Sequence, residues 1–186
     1  MAVPNNLNNL GSHLIPFSLK GTDGEIYSQN NFDDKKILVI IFMCNHCPYV
    51  KAVMDRLTAI QNKFGKAGVQ LVGINSNDSV TYPDDSFENM ITFYADYKMN
   101  FPYLCDDTQI TAREYDAVCT PDIYVYDAKR ILKYRGRIDD NWKDETKITS
   151  KDLEKAIELL LSDSEIDFQQ IPSIGCSIKW IPSGNS

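Results

Sequence analysis

Cys44-Asn45-His46-Cys47 is the stretch of this sequence whose residue types and spacing best suit chemistry. Two cysteines separated by two residues can cycle between dithiol and disulfide within one molecule. Cys44 is the expected attacking sulfur: at a helix N-terminus, unpaired backbone N–H groups and the positive end of the helix dipole favour a thiolate, and the thiolate is the nucleophile. Cys47, about one turn on, would resolve a mixed disulfide by attacking back. An imidazolium at His46 would add positive charge beside the Cys44 sulfur and make the disulfide more oxidising; the bland alternative is a solvated loop histidine with no role. A zinc site normally needs a second close cysteine pair. Here Cys105, Cys119 and Cys176 are singletons and the only other histidine is His13, so no metal and no bound cofactor are expected.

The elements around the motif follow from hydrophobic pattern. Residues 36–43 (KILVIIFM) form a continuous apolar run rich in β-branched side chains, as expected of a central strand buried on both faces. Directly after the CxxC, Val50, Val53, Met54, Leu57, Ile60 and Phe64 recur at helical spacing, with Gly65 as the expected stop. Upstream, residues 14–20 and 24–27 read as a hairpin around Thr22-Asp23-Gly24. Downstream come a strand over 69–75 and a helix opened by a capping box at Asp85-Ser86-Phe87-Glu88, with Phe87, Met90, Ile91 and Tyr94 on its buried face. A short strand at 103–105, a short helix at 111–115, strands at 123–126 and 131–135, and a helix after Thr149-Ser150 complete the order. Alternating strand and helix calls for right-handed parallel crossovers, and the late hairpin adds an antiparallel edge. The expectation is an α/β fold with a central mixed sheet flanked by helices and an N-terminal β-hairpin extension. Residues 1–186 read as a single domain, with an irregular tail from about 162.

Twenty-six acidic against nineteen basic residues give a formal charge of −7, which disfavours nucleic acid as a partner. No apolar run is long enough to span a bilayer. The N-terminus has neither the basic nor the apolar region of a secretory signal, so a cytoplasmic location is expected. Five cysteines with one close pair do not resemble a secreted disulfide framework.

Strand–CxxC–helix, followed by Cys119-Thr120-Pro121 before a strand, resembles the thioredoxin superfamily. More closely, PFSLKGTDG, FMCNHCPYVK, CTPDIYVYD, YRGRIDD and SIGCSIKW resemble the redoxin group: peroxiredoxin-like, thioredoxin-fold proteins of the alkyl hydroperoxide reductase/thiol-specific antioxidant domain family. The resemblance runs from about Leu14 to Trp180. It implies a thioredoxin-like fold, Cys44 as attacking and Cys47 as resolving cysteine, and Thr120-Pro121 as a cis-proline loop lying against the active disulfide and binding substrate. Three departures stand out. Met43 precedes the motif and Pro48 follows it. The buried aspartate that thioredoxin keeps six residues before the first cysteine is Leu38 here. The peroxiredoxin Pro-x-x-x-Thr-x-x-Cys pattern, set against Cys47, would need proline at Ile40 and threonine at Cys44.

Dithiol–disulfide exchange is therefore the expected activity, with a protein or small-molecule disulfide as substrate and a dithiol reductant. A thiol peroxidase acting on hydroperoxides is the alternative, and a thioredoxin-fold copper-binding protein a more distant one. Cys119, two residues before Pro121, and Cys176, in the tail where flexibility could carry it to a partner thiol, are candidate auxiliary thiols. The bland reading makes both packing residues. Cys105 reads as packing, and Arg135, Arg137, Asp139 and Asp140 as a solvated charged edge. Trp142 and Trp180 fit either core or contact roles.

Overall fold

The structure is a computed structural model that describes residues 2–5, 7 and 9–182. It opens with β1 (Ala2–Pro4) and a hairpin of β2 (Ser18–Gly21) and β3 (Ile26–Ser28), turned at Gly24 with φ +91°. Next come β4 (Ile37–Phe42), α1 (Pro48–Phe64), β5 (Val69–Asn75), α2 (Phe87–Asp96), β6 (Tyr103–Cys105) and α3 (Ile110–Glu114). Then follow β7 (Cys119–Thr120), β8 (Asp122–Tyr126), β9 (Leu132–Arg135), α4 (Asp152–Leu161) and β10 (Ile174–Ser177).

Seven strands form the main sheet in the order β3-β2-β6-β5-β4-β8-β9. β4 and β6 run parallel to β5, while the remaining pairings are antiparallel. This is the expected mixed sheet with a hairpin extension. All six residues of β4 are buried because successive side chains enter two different cores. Ile37, Val39 and Ile41 meet Val50, Val53, Met54 and Leu57 of α1 and Leu153 and Ile157 of α4. Leu38, Ile40 and Phe42 face the other way, toward Phe17, Phe32, Ala112 and Tyr115. Burying each such apolar side chain contributes about 1.5–3 kcal/mol, which fixes the end of β4 and the start of α1, and so the loop between them.

Three local expectations are corrected. Gly65 keeps a right-handed conformation and the chain continues as a short 3-10 turn to Ala67; Gly68, with φ +94°, makes the reversal. Asp85 is not part of a cap. Ser86 alone caps α2, accepting from the Asn89 amide, and that phase buries Met90 and Phe93 while leaving Ile91 exposed. The region after residue 162 is not irregular throughout. It contains β10, clamped antiparallel between β1 and β7 in a second, three-stranded sheet; its last four residues lie outside those described.

The supposed charged edge is largely interior. Arg135 and Asp122 are both inaccessible and form an ion pair of 2.8 Å, while Asp139 binds Arg56 at 2.5 Å. An arginine at the end of a strand looks solvent-bound in sequence, but β9 carries it under the loop at Asp116, whose carbonyl accepts from it at 2.8 Å.

Candidate active site

β4, paired on both sides by β5 and β8, delivers Met43 and Cys44 just past its C-terminal end, and α1 starts at Pro48, whose missing N–H and fixed φ suit a first helical position. Cys47, not Cys44, is therefore the N-cap of α1. Both cysteines of the motif are buried, and the structure holds all five cysteines as free thiols. The helix terminus thus favours an anion at Cys47, a correction of the sequence expectation, because the helix starts three residues later than that expectation placed it.

The neighbouring Cys44 thiol favours an anion at Cys47 and lowers that thiol far below its ordinary value against the opposing effect of burial, with Thr120 and the backbone at Val50 and Cys176 also favouring the anion. The sulfur makes no regular capping hydrogen bond; these backbone groups simply lie close enough to favour charge. Cys44 is pushed up first by its Cys47 neighbour, then by burial, then by the negative charge of Asp85. When protonated, Cys47 instead donates to the Thr120 carbonyl at 3.1 Å, so both of its states have partners.

Thr120 is the hub opposite the motif. Its hydroxyl lies 3.5 Å from the Cys44 sulfur and 3.5 Å from the Cys176 carbonyl, and the Thr120–Pro121 peptide is cis. Cys176 lies directly across from Thr120 in the β10–β7 register, and the carbonyl of that same Thr120 accepts from the Cys47 sulfur. Burial first, and the Cys47 sulfur second, push its thiol up. It is only half-buried. The structure thus brings Cys44, Cys47, Thr120, Pro121 and Cys176 together, through a strand and not through a mobile tail. Cys119 is close but turned away: its inaccessible S–H donates to the Pro121 carbonyl at 3.6 Å, and burial pushes it up.

The residue that sequence reasoning missed is Asp85. It is buried, and its Oδ1 accepts the Asn45 amide at 2.8 Å and the His46 amide at 3.4 Å. Its Oδ2 takes Asn77 Nδ2 at 2.7 Å and sits 2.6 Å from His46 Nδ1. A carboxylate so surrounded by donors is best served by a proton on His46 Nδ1, which leaves Nε2 free to accept. His46 also stacks on Tyr82, with ring centroids 5.9 Å apart. The signal for Asp85 was present but read as a helix cap. Asn45 is locked as well, by the Tyr103 hydroxyl at 2.8 Å and the Asp84 carbonyl at 2.9 Å.

A ring nitrogen of His46, the Cys44 sulfur and an Asp85 oxygen lie within 4.8 Å of one another, a donor set that could hold a metal ion. Both Asp85 oxygens, however, are already engaged by hydrogen-bond donors, so binding would cost those bonds. The set fits a hydrogen-bonded dyad better than a metal centre.

A family model described as the AhpC/TSA family matches residues 10–135. The chain belongs to the AhpC/TSA family. Among solved structures, an uncharacterized conserved protein from Geobacillus kaustophilus is 41% identical with a TM-score of 0.93, over 99% of this chain and 98% of that one. The thioredoxin domain of a thiol-disulfide oxidoreductase from Bacteroides vulgatus shares the thioredoxin fold at 19% identity and a TM-score of 0.59, over 68% of this chain and 86% of that domain. A chloroplastic peroxiredoxin Q from Sedum lineare is 29% identical over 105 residues, 56% of this chain. The match spans about half, 52%, of that curated relative's length. The CxxC of this chain places Cys44 three residues before the cysteine at the helix cap. Among the described residues, no helix is long and apolar enough to cross a membrane.

Proposed function

We propose that this protein is a dithiol–disulfide oxidoreductase in which Cys44 and Cys47 cycle between dithiol and disulfide, without a bound cofactor, in the cytoplasm. The single observation that carries the reading is the placement of Cys47 at the N-cap of α1 with Cys44 three residues before it, both sulfurs held against Thr120. The Cys47 thiolate attacks a disulfide, forming a mixed disulfide and releasing the first thiolate. Cys44 then gives its proton to that thiolate, attacks the Cys47 sulfur and expels the second thiolate, closing the internal disulfide. Two electrons pass from the dithiol to the substrate disulfide, and a dithiol reductant restores the pair. Thr120 orients both sulfurs, and Asp85 holds the Asn45-His46 backbone that spaces them.

A second reading is a peroxidase in which the Cys47 thiolate attacks a hydroperoxide and Cys44 resolves the sulfenic acid. It is favoured by the burial of both sulfurs, which suits a small oxidant, and by the similarity to peroxiredoxin Q. The experiment is a competition on fully reduced protein: rates of oxidation by hydrogen peroxide and by hydroxyethyl disulfide, with products located by peptide mapping. Faster reaction with the disulfide, ending in a Cys44–Cys47 bond, is expected. Faster reaction with peroxide through a sulfenic acid on Cys47 would make the peroxidase reading the correct one. A tight one-to-one Cu(I) complex with negligible turnover would overturn both.

A further inference from the structure

We propose that Cys176 is the entry sulfur of a three-cysteine relay, held by β10 on the edge of the cis-proline loop, through which external disulfides exchange with the buried pair. The proposal rests on the Cys44–Cys47 dithiol reading and deepens it.

Cys44 and Cys47 are 1% and 0% exposed, so a disulfide larger than a few atoms has no direct line to either sulfur. The backbone edge at Thr120, where an extended chain could pair beside the motif, is already taken. β10 pairs with it, Cys176 against Thr120 and Ser177 against Cys119. The fit is close: a Cβ on Gly175 would lie 2.0 Å from the Thr120 carbonyl oxygen and 2.5 Å from its carbon, so only glycine allows this approach. β1 covers the other edge of β10, and Asn5 ties the segment down by pairing with the Ser173 backbone at both its amide and its side chain. The chain thus presents its own strand where a peptide substrate would bind. The residue it pairs with Thr120, whose carbonyl accepts from the Cys47 sulfur at 3.1 Å, is a cysteine, the only one of the three that is partly open to solvent.

The chemistry balances for an external disulfide RSSR. Cys176 gives its proton to the neighbouring Cys47 thiolate and attacks RSSR, forming Cys176–S–S–R and releasing RS⁻, which takes that proton back from Cys47 as RSH. Cys47 attacks the Cys176 sulfur and expels the second RS⁻. Cys44 then attacks the Cys47 sulfur of the Cys47–Cys176 disulfide. The Cys44 proton ends on the returning Cys176 thiolate. The sum is one RSSR reduced to RSH and RS⁻, one Cys44–Cys47 disulfide formed, and Cys176 regenerated. Reduction by an external dithiol runs the same three exchanges backward.

The test uses the full chain. The reduced Cys44→Ser protein is treated with one equivalent of diamide and mapped without reduction. A Cys47–Cys176 disulfide is expected; Cys47 left free, or paired only between molecules, would overturn the relay. In parallel, Cys176→Ser and Cys176→Ala, checked for folding by circular dichroism, are reacted with hydroxyethyl disulfide. A loss of at least tenfold in rate against wild type is expected, and an unchanged rate in either folded variant overturns the relay. Diamide treatment of the wild type separates the two levels. If Cys44–Cys47 closes there, the dithiol reading stands whatever Cys176 does; if it does not, the dithiol reading itself has failed.

Discussion

Asp85 Oδ2 lies 2.6 Å from His46 Nδ1, across thirty-nine residues of sequence, and the same carboxylate binds the backbone of the motif's two central residues. His46 therefore acts on the cysteines as half of a dyad. The negative member of the dyad raises Cys44.

Replacing His46 with glutamine should remove the Nδ1–H donor from Asp85 and shift the 240 nm thiolate titration of the pair upward by about one pH unit, the size expected when a nearby electrostatic partner is altered, while the pair remains ionised at pH 7. Asp85→Asn should act in the opposite direction. It should also destabilise the fold by about 2–4 kcal/mol, since donors arranged for a carboxylate lose their charge-assisted bonds. In the Asp85→Asn background the His46→Gln effect should largely vanish, which a double-mutant cycle on the 240 nm titration measures. An unchanged titration in His46→Gln alone would return His46 to a loop residue without a role.

Reduced wild-type protein should carry about one thiolate at pH 7, because the Cys47 thiol is lowered, chiefly by the neighbouring Cys44 thiol. A lowered value means that the anion persists below the ordinary thiol range and disappears only on acidification. Cys47→Ser should abolish the 240 nm absorbance, and Cys176→Ser should retain it. Retention in Cys47→Ser would place the charge on another sulfur.

Gly175→Ala tests the seat of β10. With no room for a Cβ beside the Thr120 carbonyl, the strand must shift, at a cost of about 1–3 kcal/mol or more. Thermal unfolding should show the loss, and Cys176 should react faster with an alkylating reagent as the strand loosens. Wild-type stability together with wild-type Cys176 reactivity would contradict this packing.

Arg135→Met should be among the costliest single changes. It leaves Asp122, the residue after Pro121, as a buried carboxylate without its ion-pair partner. Breaking one side of such a pair costs about 3–5 kcal/mol. Denaturant unfolding should show that loss, and removing both partners, as Arg135→Met with Asp122→Asn, should cost less than the sum of the single changes.

Much of this protein was legible in its sequence because local rules and tertiary demands agreed. The β-branched run over residues 37–42 becomes the doubly buried β4, and the three-four spacing from Val50 to Phe64 becomes the core face of α1. The CxxC between them falls at the C-terminal end of an interior strand and at a helix start for the same reasons, and Thr120-Pro121 meets it. What tertiary structure alone decided lies where polar groups and unpatterned segments find distant partners. Asp85 had the sequence context of a helix cap, yet it turned to the Asn45 and His46 amides, which were waiting for an acceptor. Arg135 ended a strand like a surface residue, yet Asp122 and the Asp116 carbonyl made burial affordable. Cys176 sat in a segment without periodicity, because a four-residue strand held by edges on both sides needs no apolar alternation of its own. Pattern in sequence reports which face an element buries. It does not report which remote group will satisfy a charge or pair an edge, and those pairings set this site.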